Sequence, residues 1–183
     1  AGGGIRLSGG YEVFRQVVDK LGVPVVTYWN SVDVIEDAHP LYVGRGGNMG
    51  DRPGNFAVQN ADLLLAIGTR ISIRQTGYSF TTWAREAKVI MVDIDRAEMK
   101  KHTIHVEVPV WADAKDFLET MNECLEKEAK PVFPGEDWRT ICQNWKQKYP
   151  ATLPRHWEER SGCANVFAFI RHLSESLPEN SQI

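Results

Sequence analysis

The sequence predicts an α/β fold in which a doubly wound parallel sheet is followed by a C-terminal helical tail. Near-continuous apolar runs at 24–29, 63–68, 88–95 and 106–111 indicate buried strands. Amphipathic helical patterns or glycine-rich loops separate these runs. Strands that are apolar on both faces and alternate with helices indicate a sheet covered on both sides, which is a Rossmann-like architecture.

The first predicted helix covers Tyr11–Leu21 and precedes the first predicted strand. Its apolar residues recur at three-and-four spacing on one face, and they are Val13, Phe14, Val17, Val18 and Leu21. Gly22 ends this helix, since glycine readily adopts the left-handed conformation that follows a helix. The next segment, PVVTYW at Pro24–Trp29, is β-branched and apolar and predicts a strand.

The segment 39–54, HPLYVGRGGNMGDRPG, predicts a loop because it contains five glycines and two prolines. A short strand is expected within it at Leu41–Val43. Pro53 suits the first turn of a helix that extends to Ala61.

The chain after the last predicted strand is helical. The helix that begins after Asp113 carries its apolar residues at Phe117, Leu118, Met121 and Leu125. The run KPVFPG at 130–135 predicts a boundary. Helices at 138–145 and 164–177 are expected beyond it, on either side of an irregular segment at 150–162.

These patterns divide the chain into three parts. Residues 1–129 are expected to form an α/β domain of the nucleotide-cofactor type, 130–162 a linker with a helix, and 163–183 a last helical segment. A glycine-rich turn in this fold class follows a strand, yet only Ala1 precedes the glycines at 2–4. Residues 181–183 resemble the approach to another strand. We therefore expect a segment cut from a longer protein at both ends.

Composition excludes several classes of function. Of the 183 residues, 43% are hydrophobic and 25% are charged, with a net charge of −3, so neither a nucleic-acid partner nor an anionic membrane surface is expected. No apolar run approaches the roughly 18 residues that a membrane span needs, and we expect a cytoplasmic protein. The three cysteines lack the spacing of a disulfide framework or a zinc site and predict free thiols.

The candidate site residues follow the predicted strands, because open parallel sheets bind ligands beyond the carboxyl ends of their strands. Gly3, Gly4 and Gly68 would let a phosphate approach the backbone closely. A plain connection is an equal alternative for the first two. Arg70 and Arg74 supply guanidinium groups that pair with phosphate oxygens, although either could be a solvated loop arginine.

Polar groups at three other strand ends complete the candidate site. Thr27 offers a hydroxyl, and Asp93 and Asp113 offer carboxylates of the kind that accept hydrogen bonds from ribose. Asp113, and Asp95 two residues after Asp93, could equally cap helices. Of the two rings that follow Thr27, at 28 and 29, at least one is expected to pack in the core.

No catalytic constellation is predicted. The sequence has no Gly-x-Ser-x-Gly elbow, no HExxH and no P-loop, and its five histidines show no triad or metal spacing. The expected role of this chain is therefore to bind a ligand rather than to react with it.

In their order, these pieces resemble the central domain of the thiamine-diphosphate-dependent enzymes related to acetolactate synthase. The resemblance runs from Gly2 to Leu125 and rests on GGGI, GVPVVTYW, HPLYVGRGG, NFAVQNADLLLAIGTR, QTG, AKVIMVDIDRAEM and VWADAKDFL. The tail, WKQKYP and NVFAFIRHLSESLP, resembles the family's linker and the first helix of its diphosphate-binding domain. The fold that this implies is a Rossmann-like, DHS-like central domain.

The resemblance implies an enzyme of three α/β domains, of which this chain is the second. Thiamine diphosphate and Mg²⁺ would bind between the first and third domains of paired subunits in a homo-oligomer, so the partners of this chain would be the N-terminal and C-terminal domains of the same enzyme. The family's catalytic glutamate and its GDG...N metal motif belong to those domains, and this sequence contains neither. The chain alone is expected to be inactive.

In relatives of this family the central domain binds FAD, binds ADP or leaves its site empty. By motif position the matching residues are Gly3, Gly4, Thr27, Asn48, Met49, Gly50, Gly68, Arg70, Arg74, Asp93 and Asp113. Two departures stand out. Flavin-containing members typically have GMHG where this chain has GNMG at 47–50, and acidic residues where it has Ser72 and Ile73.

The function implied for the parent enzyme is decarboxylation of a 2-keto acid and transfer of the resulting carbanion equivalent to an acceptor. Three alternatives stay open. The chain could be the middle domain of another thiamine-diphosphate enzyme, such as an oxalyl-CoA-type decarboxylase or a C–C hydrolase. It could also be a stand-alone nucleotide-binding module, or a structural domain with an empty pocket.

Overall fold

A computed structural model of the chain describes residues 1–128, 136–158, 162–178 and 181. The chain divides into two compact units, Ala1–Gln147 and Lys148–Ile183. Within the described residues, no helix combines the length and the apolar character that crossing a membrane requires. The sequence-based division at 129 and 162 stays a prediction.

Helices are interspersed with strands from Ala1 to Lys148. The helices are α1 (Gly4–Leu7), α2 (Tyr11–Leu21), α3 (Arg52–Gln59), α4 (Ile73–Thr76), α5 (Ala114–Glu126) and α6 (Glu136–Lys148). The strands are β1 (Val25–Thr27), β2 (Tyr42–Arg45), β3 (Leu63–Ile67), β4 (Lys88–Asp93) and β5 (Val108–Trp111).

Every strand pair in the described chain is parallel. β1 pairs with β2, and β4 lies between β3 and β5. The first two residues connect these groups of strands, because the amine of Ala1 donates to the carbonyl of Val26 at 2.7 Å and the amide of Gly2 donates to that of Ile67 at 3.0 Å. The predicted parallel α/β fold is confirmed.

Both faces of the sheet are covered. Ile67 and Val92 belong to one apolar core that includes α2 and α5 residues such as Val17 and Leu118. Their neighbours along the strands, Ala66 and Met91, belong to a second core. Because successive strand residues point to opposite faces, this alternation shows that the sheet is buried on both sides, as in a doubly wound fold.

The helix boundaries have local causes. α2 ends where the predicted Gly22 adopts a left-handed conformation with φ of 65°. α3 begins after Asp51, whose carboxylate accepts a hydrogen bond from the amide of Gly54 at 2.9 Å, and has Pro53 in its first turn. It ends at Gln59, two residues before the predicted Ala61.

Two predictions for the N-terminal half differ from the structure. The strand predicted over 24–29 ends at Thr27, since the amide of Tyr28 donates to the Ser31 hydroxyl at 3.1 Å and the chain turns there. Gly3 forms a turn, as expected, but Gly4 begins the short helix α1, which the sequence did not predict.

In the second unit, the last helix is α7 (Val166–Ser176), within the predicted range of 164–177. Asn165 caps it, with its side-chain oxygen accepting from the amide of Phe167 at 3.0 Å. A short 3-10 turn at Pro154–His156 lies in the segment predicted to be irregular. The predicted boundary at 130–135 and the last two residues of the predicted strand approach at 181–183 fall outside the described residues.

Candidate functional site

A cleft of about 540 Å³ opens at the carboxyl ends of the strands. Its walls are the residues that follow β1, β3, β4 and β5, together with the N-terminal glycines and α1. Seven predicted site residues line it, and they are Gly3, Gly4, Gly68, Arg70, Arg74, Asp93 and Asp113. A volume of this size lies in the range of small-molecule and cofactor sites.

Glycine backbone forms one wall of the cleft. The amide of Gly4 donates to the carbonyl of Gly68 at 2.9 Å. A Cβ placed on Gly2 would lie 2.2 Å from the Gly68 carbonyl oxygen, and Gly68 itself has φ of +58°. Only glycine fits these positions, since any side chain would force the two segments apart. Gly2 and Gly4 therefore lie in close backbone contact with Gly68.

The arginine loop, residues 68–77, carries both predicted guanidinium groups. The Arg70 side chain is 77% exposed and forms an ion pair with Glu98, with 2.6 Å between Nη2 and Oε1. This pair, together with its hydrogen bond, raises the pKa of Arg70 above its ordinary value. The guanidinium carbon of Arg74 lies 5.4 Å from the ring centre of Trp29. Both arginines line the cleft.

The two predicted carboxylates lie on the wall formed by β4 and the start of α5. Asp93 is buried, and its Oδ1 accepts a hydrogen bond from the amide of Asp95 at 2.9 Å. Asp113 caps α5, because its Oδ1 accepts from the amide of Lys115 at 2.7 Å. The alternative of helix capping is therefore confirmed for Asp113, which lines the cleft as well.

The residues that follow Thr27 have separate places, as expected. Tyr28 is buried in the protein, whereas Trp29 is half exposed and lines the cleft. Asp95 accepts a hydrogen bond from the amide of Ala97 at 2.8 Å, so it caps the turn after β4.

Four predicted site residues do not line the cleft. Thr27 is fully buried, and its hydroxyl lies 3.1 Å from that of Tyr42. The other three, Asn48, Met49 and Gly50, belong to the glycine loop, which we define as residues 46–50.

The glycine loop contacts the arginine loop through the backbone. The amide of Asn48 donates to the carbonyl of Arg74 at 2.9 Å. A Cβ on Gly47, which has φ of +89°, would lie 2.4 Å from the same carbonyl oxygen. The glycine loop therefore fixes the course of the arginine loop without contributing a cleft wall.

Comparison with known proteins assigns most of the chain to a known family. Residues 1–121 match the family described as the thiamine pyrophosphate enzyme central domain. The chain belongs to this family.

Similar proteins are large subunits of acetolactate synthase. A probable acetolactate synthase large subunit of Methanococcus aeolicus is 37% identical over 158 residues, which cover 84% of this chain and 26% of the relative. An acetolactate synthase large subunit of Pyropia yezoensis is 34% identical over 158 residues, with the same coverage of 84% and 26%. One from Corynebacterium glutamicum is 32% identical over 161 residues, which cover 88% of this chain and 25% of the relative. The chain therefore spans about a quarter of the length of the curated relatives it matches.

The cleft of this central domain has lining residues that the sequence did not reveal. Leu7 and Ser8 reach it from α1, a helix too short to show a periodic pattern. Gln75 also lines it, and its amide donates to the Thr69 hydroxyl at 2.9 Å. Two signals for Gln75 were available, its position next to Arg74 and its place in the QTG motif.

The cleft lining combines positively and negatively charged side chains. Guanidinium groups offer donors to an anion, and the carboxylates of Asp93 and Asp113 offer acceptors to hydroxyl groups. Within the described ranges, no group of three or more His, Cys, Asp or Glu side chains is arranged to hold a metal ion.

Proposed function

We propose that this central domain binds the ADP moiety of a nucleotide, as FAD or as ADP, in the cleft at the carboxyl ends of its strands. The observation that carries the proposal is the convergence of Arg70 and Arg74 with Asp93 and Asp113 around the glycine wall. Guanidinium groups and closely approached backbone suit a diphosphate. Carboxylates at strand ends suit ribose hydroxyls.

FAD and ADP share the chemistry that these residues recognise, and they differ in the flavin arm. The positions at which flavin-containing relatives typically differ from this chain, Asn48 and Met49, lie in the glycine loop outside the cleft lining. Ser72, by contrast, lines the cleft. Comparing the affinity of the chain for FAD with its affinity for ADP therefore shows whether the flavin arm contributes to binding.

For the protein of which this domain is a part, we propose an acetolactate-synthase-like enzyme that decarboxylates a 2-keto acid and joins the product to an acceptor. The names of its relatives and the partial coverage of their length support this. The enzyme would use thiamine diphosphate and Mg²⁺ held by its N-terminal and C-terminal domains, as a homo-oligomer in the cytoplasm. This chain would then hold the nucleotide and support the packing of the other domains, without acetolactate synthesis of its own.

The test is a calorimetric titration of the chain with ADP and, separately, with FAD. We expect saturable binding of at least one nucleotide and loss of that binding in Arg70→Ala. Arg85→Ala is the matched control, because Arg85 is also an exposed arginine but does not line the cleft. Equal losses in both variants, or no binding at millimolar nucleotide, would reject the proposal in favour of a structural domain.

A further inference from the structure

Two charged residues that do not line the cleft form hydrogen bonds to the arginine loop. Glu98 begins the short turn after β4, and Lys101 follows that turn. Their side chains are only 13% and 21% exposed, although charged side chains usually remain in water. Both side chains are thus largely buried, although the Arg70 side chain beside them is exposed. We therefore asked what they do for Arg70.

Glu98 orients the guanidinium group of Arg70. Its Oε1 accepts a hydrogen bond from Arg70 Nε at 2.6 Å and lies 2.6 Å from Nη2. These contacts use one edge of the planar group, and a guanidinium has five donors. The Nη1 side of Arg70 thus stays available to a ligand while the other edge is held.

Lys101 holds both Glu98 and the backbone of the arginine loop. Its Nζ lies 3.0 Å from Glu98 Oε2 and donates to the carbonyl of Ile71 at 3.1 Å, and it also donates to the carbonyl of Arg70. Three acceptors match the three donors of an ammonium group. Burial alone would raise the pKa of Glu98, but the hydrogen bonds from Lys101 and Arg70 lower it overall, so Glu98 is ionised.

The backbone that Lys101 holds is strained. Ile71 has φ of +44°, a left-handed conformation that is rare for a β-branched residue. Its side chain is buried in a core with Trp83 and Met91. Such a conformation persists only when its surroundings impose it, and strained residues concentrate at binding sites. Core packing on one side and Lys101 on the other keep this turn in place.

We propose that Glu98 and Lys101 are positioning residues for the nucleotide diphosphate, which order Arg70 at the cleft before the ligand arrives. This inference rests on the proposed nucleotide binding. An arginine that is already ordered loses less conformational entropy when it binds a phosphate, so the affinity is higher. The same arrangement places an anion beside the arginine, which by Coulomb's law alone would weaken phosphate binding. Ordering of Arg70 by Glu98 raises the affinity for phosphate, whereas the negative charge of Glu98 lowers it. Substitution of Glu98 therefore shows which effect is larger.

The experiment measures ADP affinity of the chain in Glu98→Ala, Glu98→Gln and Glu86→Ala. We expect Glu98→Ala to weaken binding about five- to tenfold, the scale of ordering one long side chain on binding. Glu98→Gln should restore most of the affinity, because its amide oxygen can still accept from Arg70. Glu86→Ala is the matched control, since it removes an exposed carboxylate that does not line the cleft and should leave affinity unchanged.

A second measurement needs no ligand. We expect the Nε–H signal of Arg70 in a ¹⁵N NMR spectrum to be protected from solvent exchange in the wild-type chain and in Glu98→Gln, and to lose that protection in Glu98→Ala and Lys101→Met. Unfolding of a variant would be evident from the loss of the other amide signals; if Glu98→Ala unfolds, Lys101→Met carries the comparison, and the reverse holds if Lys101→Met unfolds.

The possible outcomes separate this inference from the proposed function. Unchanged or tighter ADP binding by Glu98→Ala, or an Arg70 signal that does not respond, overturns the positioning role while nucleotide binding stands. A wild-type chain that binds neither ADP nor FAD overturns both proposals.

Discussion

Gly4 and Gly68 contact each other through backbone atoms alone. The amide of Gly4 donates to the carbonyl of Gly68 at 2.9 Å, and a Cβ on Gly4 would lie 2.7 Å from the Gly68 Cα. A Cβ on Gly68 would in turn lie 2.8 Å from the Gly4 Cα. The contact forms the glycine wall of the cleft, so the packing of the fold and the shape of the site depend on the same two residues.

Substitution of Gly68 by alanine should therefore destabilise the domain strongly. A left-handed alanine costs about 1–2 kcal/mol and overpacking adds about 1–3 kcal/mol, so Gly68→Ala should lose about 2–5 kcal/mol of unfolding free energy. Gly9→Ala is the control, because Gly9 has φ of +73° but nothing within 4 Å of its Cβ position, and it should show the conformational cost alone. Urea denaturation measures both, and equal losses would disprove the importance of the contact.

Much of the fold was predictable because the signals for it are local. The apolar periodicity of Tyr11–Leu21 and the strand run of Lys88–Asp93 each specify their own element. Strand ends were less predictable. β1 ends before Tyr28 because the amide of Tyr28 donates to the Ser31 hydroxyl, and nothing in the PVVTYW run predicts that contact.

The cleft was predictable only in part. Gly68 and Asp93 could be assigned because the carboxyl ends of parallel strands meet at one edge of a sheet. Glu98 and Lys101 could not be assigned to the site. Both contact Arg70 through tertiary hydrogen bonds, with sequence separations of 28 residues for Glu98 and 31 for Lys101. The strained backbone of Ile71 likewise depends on tertiary contacts. The conformational preference of isoleucine alone predicts a negative φ there.

The three cysteines should differ sharply in reactivity toward a thiol reagent. Cys142 is fully buried, and burial raises the pKa of its thiol to about 12, whereas Cys124 and Cys163 are exposed. Since the thiolate is the reactive form, we expect two thiols to react with DTNB in the native chain and the third only after unfolding. Cys142→Ser should keep both fast-reacting thiols. Three fast thiols in the native protein would contradict the buried position.

Asp51 should stabilise the start of α3 and the end of β2 together. Its Oδ1 accepts from the amide of Gly54 and its Oδ2 accepts from that of Arg45, both at 2.9 Å. Asp51→Ala removes a helix cap and leaves two amides without this partner, so unfolding free energy should fall by about 1–3 kcal/mol. Asp62→Ala, at an exposed position, is the control and should stay within about 0.5 kcal/mol of wild type. Similar effects of both variants in urea denaturation would show that the cap contributes little.

The amine of Ala1 should make stability depend on pH in a chain that begins at this residue. Burial lowers the pKa of this amine from 8.0 to about 5. Between these two pKa values the unfolded chain binds a proton that the folded chain does not, so unfolding free energy rises with pH from about 5 to 8. A shift of this size corresponds to at most about 4 kcal/mol across that range.

A chain extended at its N-terminus provides the control for this pH dependence. An added residue converts the amine of Ala1 into an amide that does not titrate, while the histidines and carboxylates of the domain are unchanged. The contribution of this one group is therefore the difference between the two stability curves, measured by urea denaturation from pH 5.5 to 8. We expect the extended chain to have the flatter curve, because its buried nitrogen can donate to Val26 at any pH in this range. Parallel curves would show that the amine of Ala1 is charged or exposed in the folded protein.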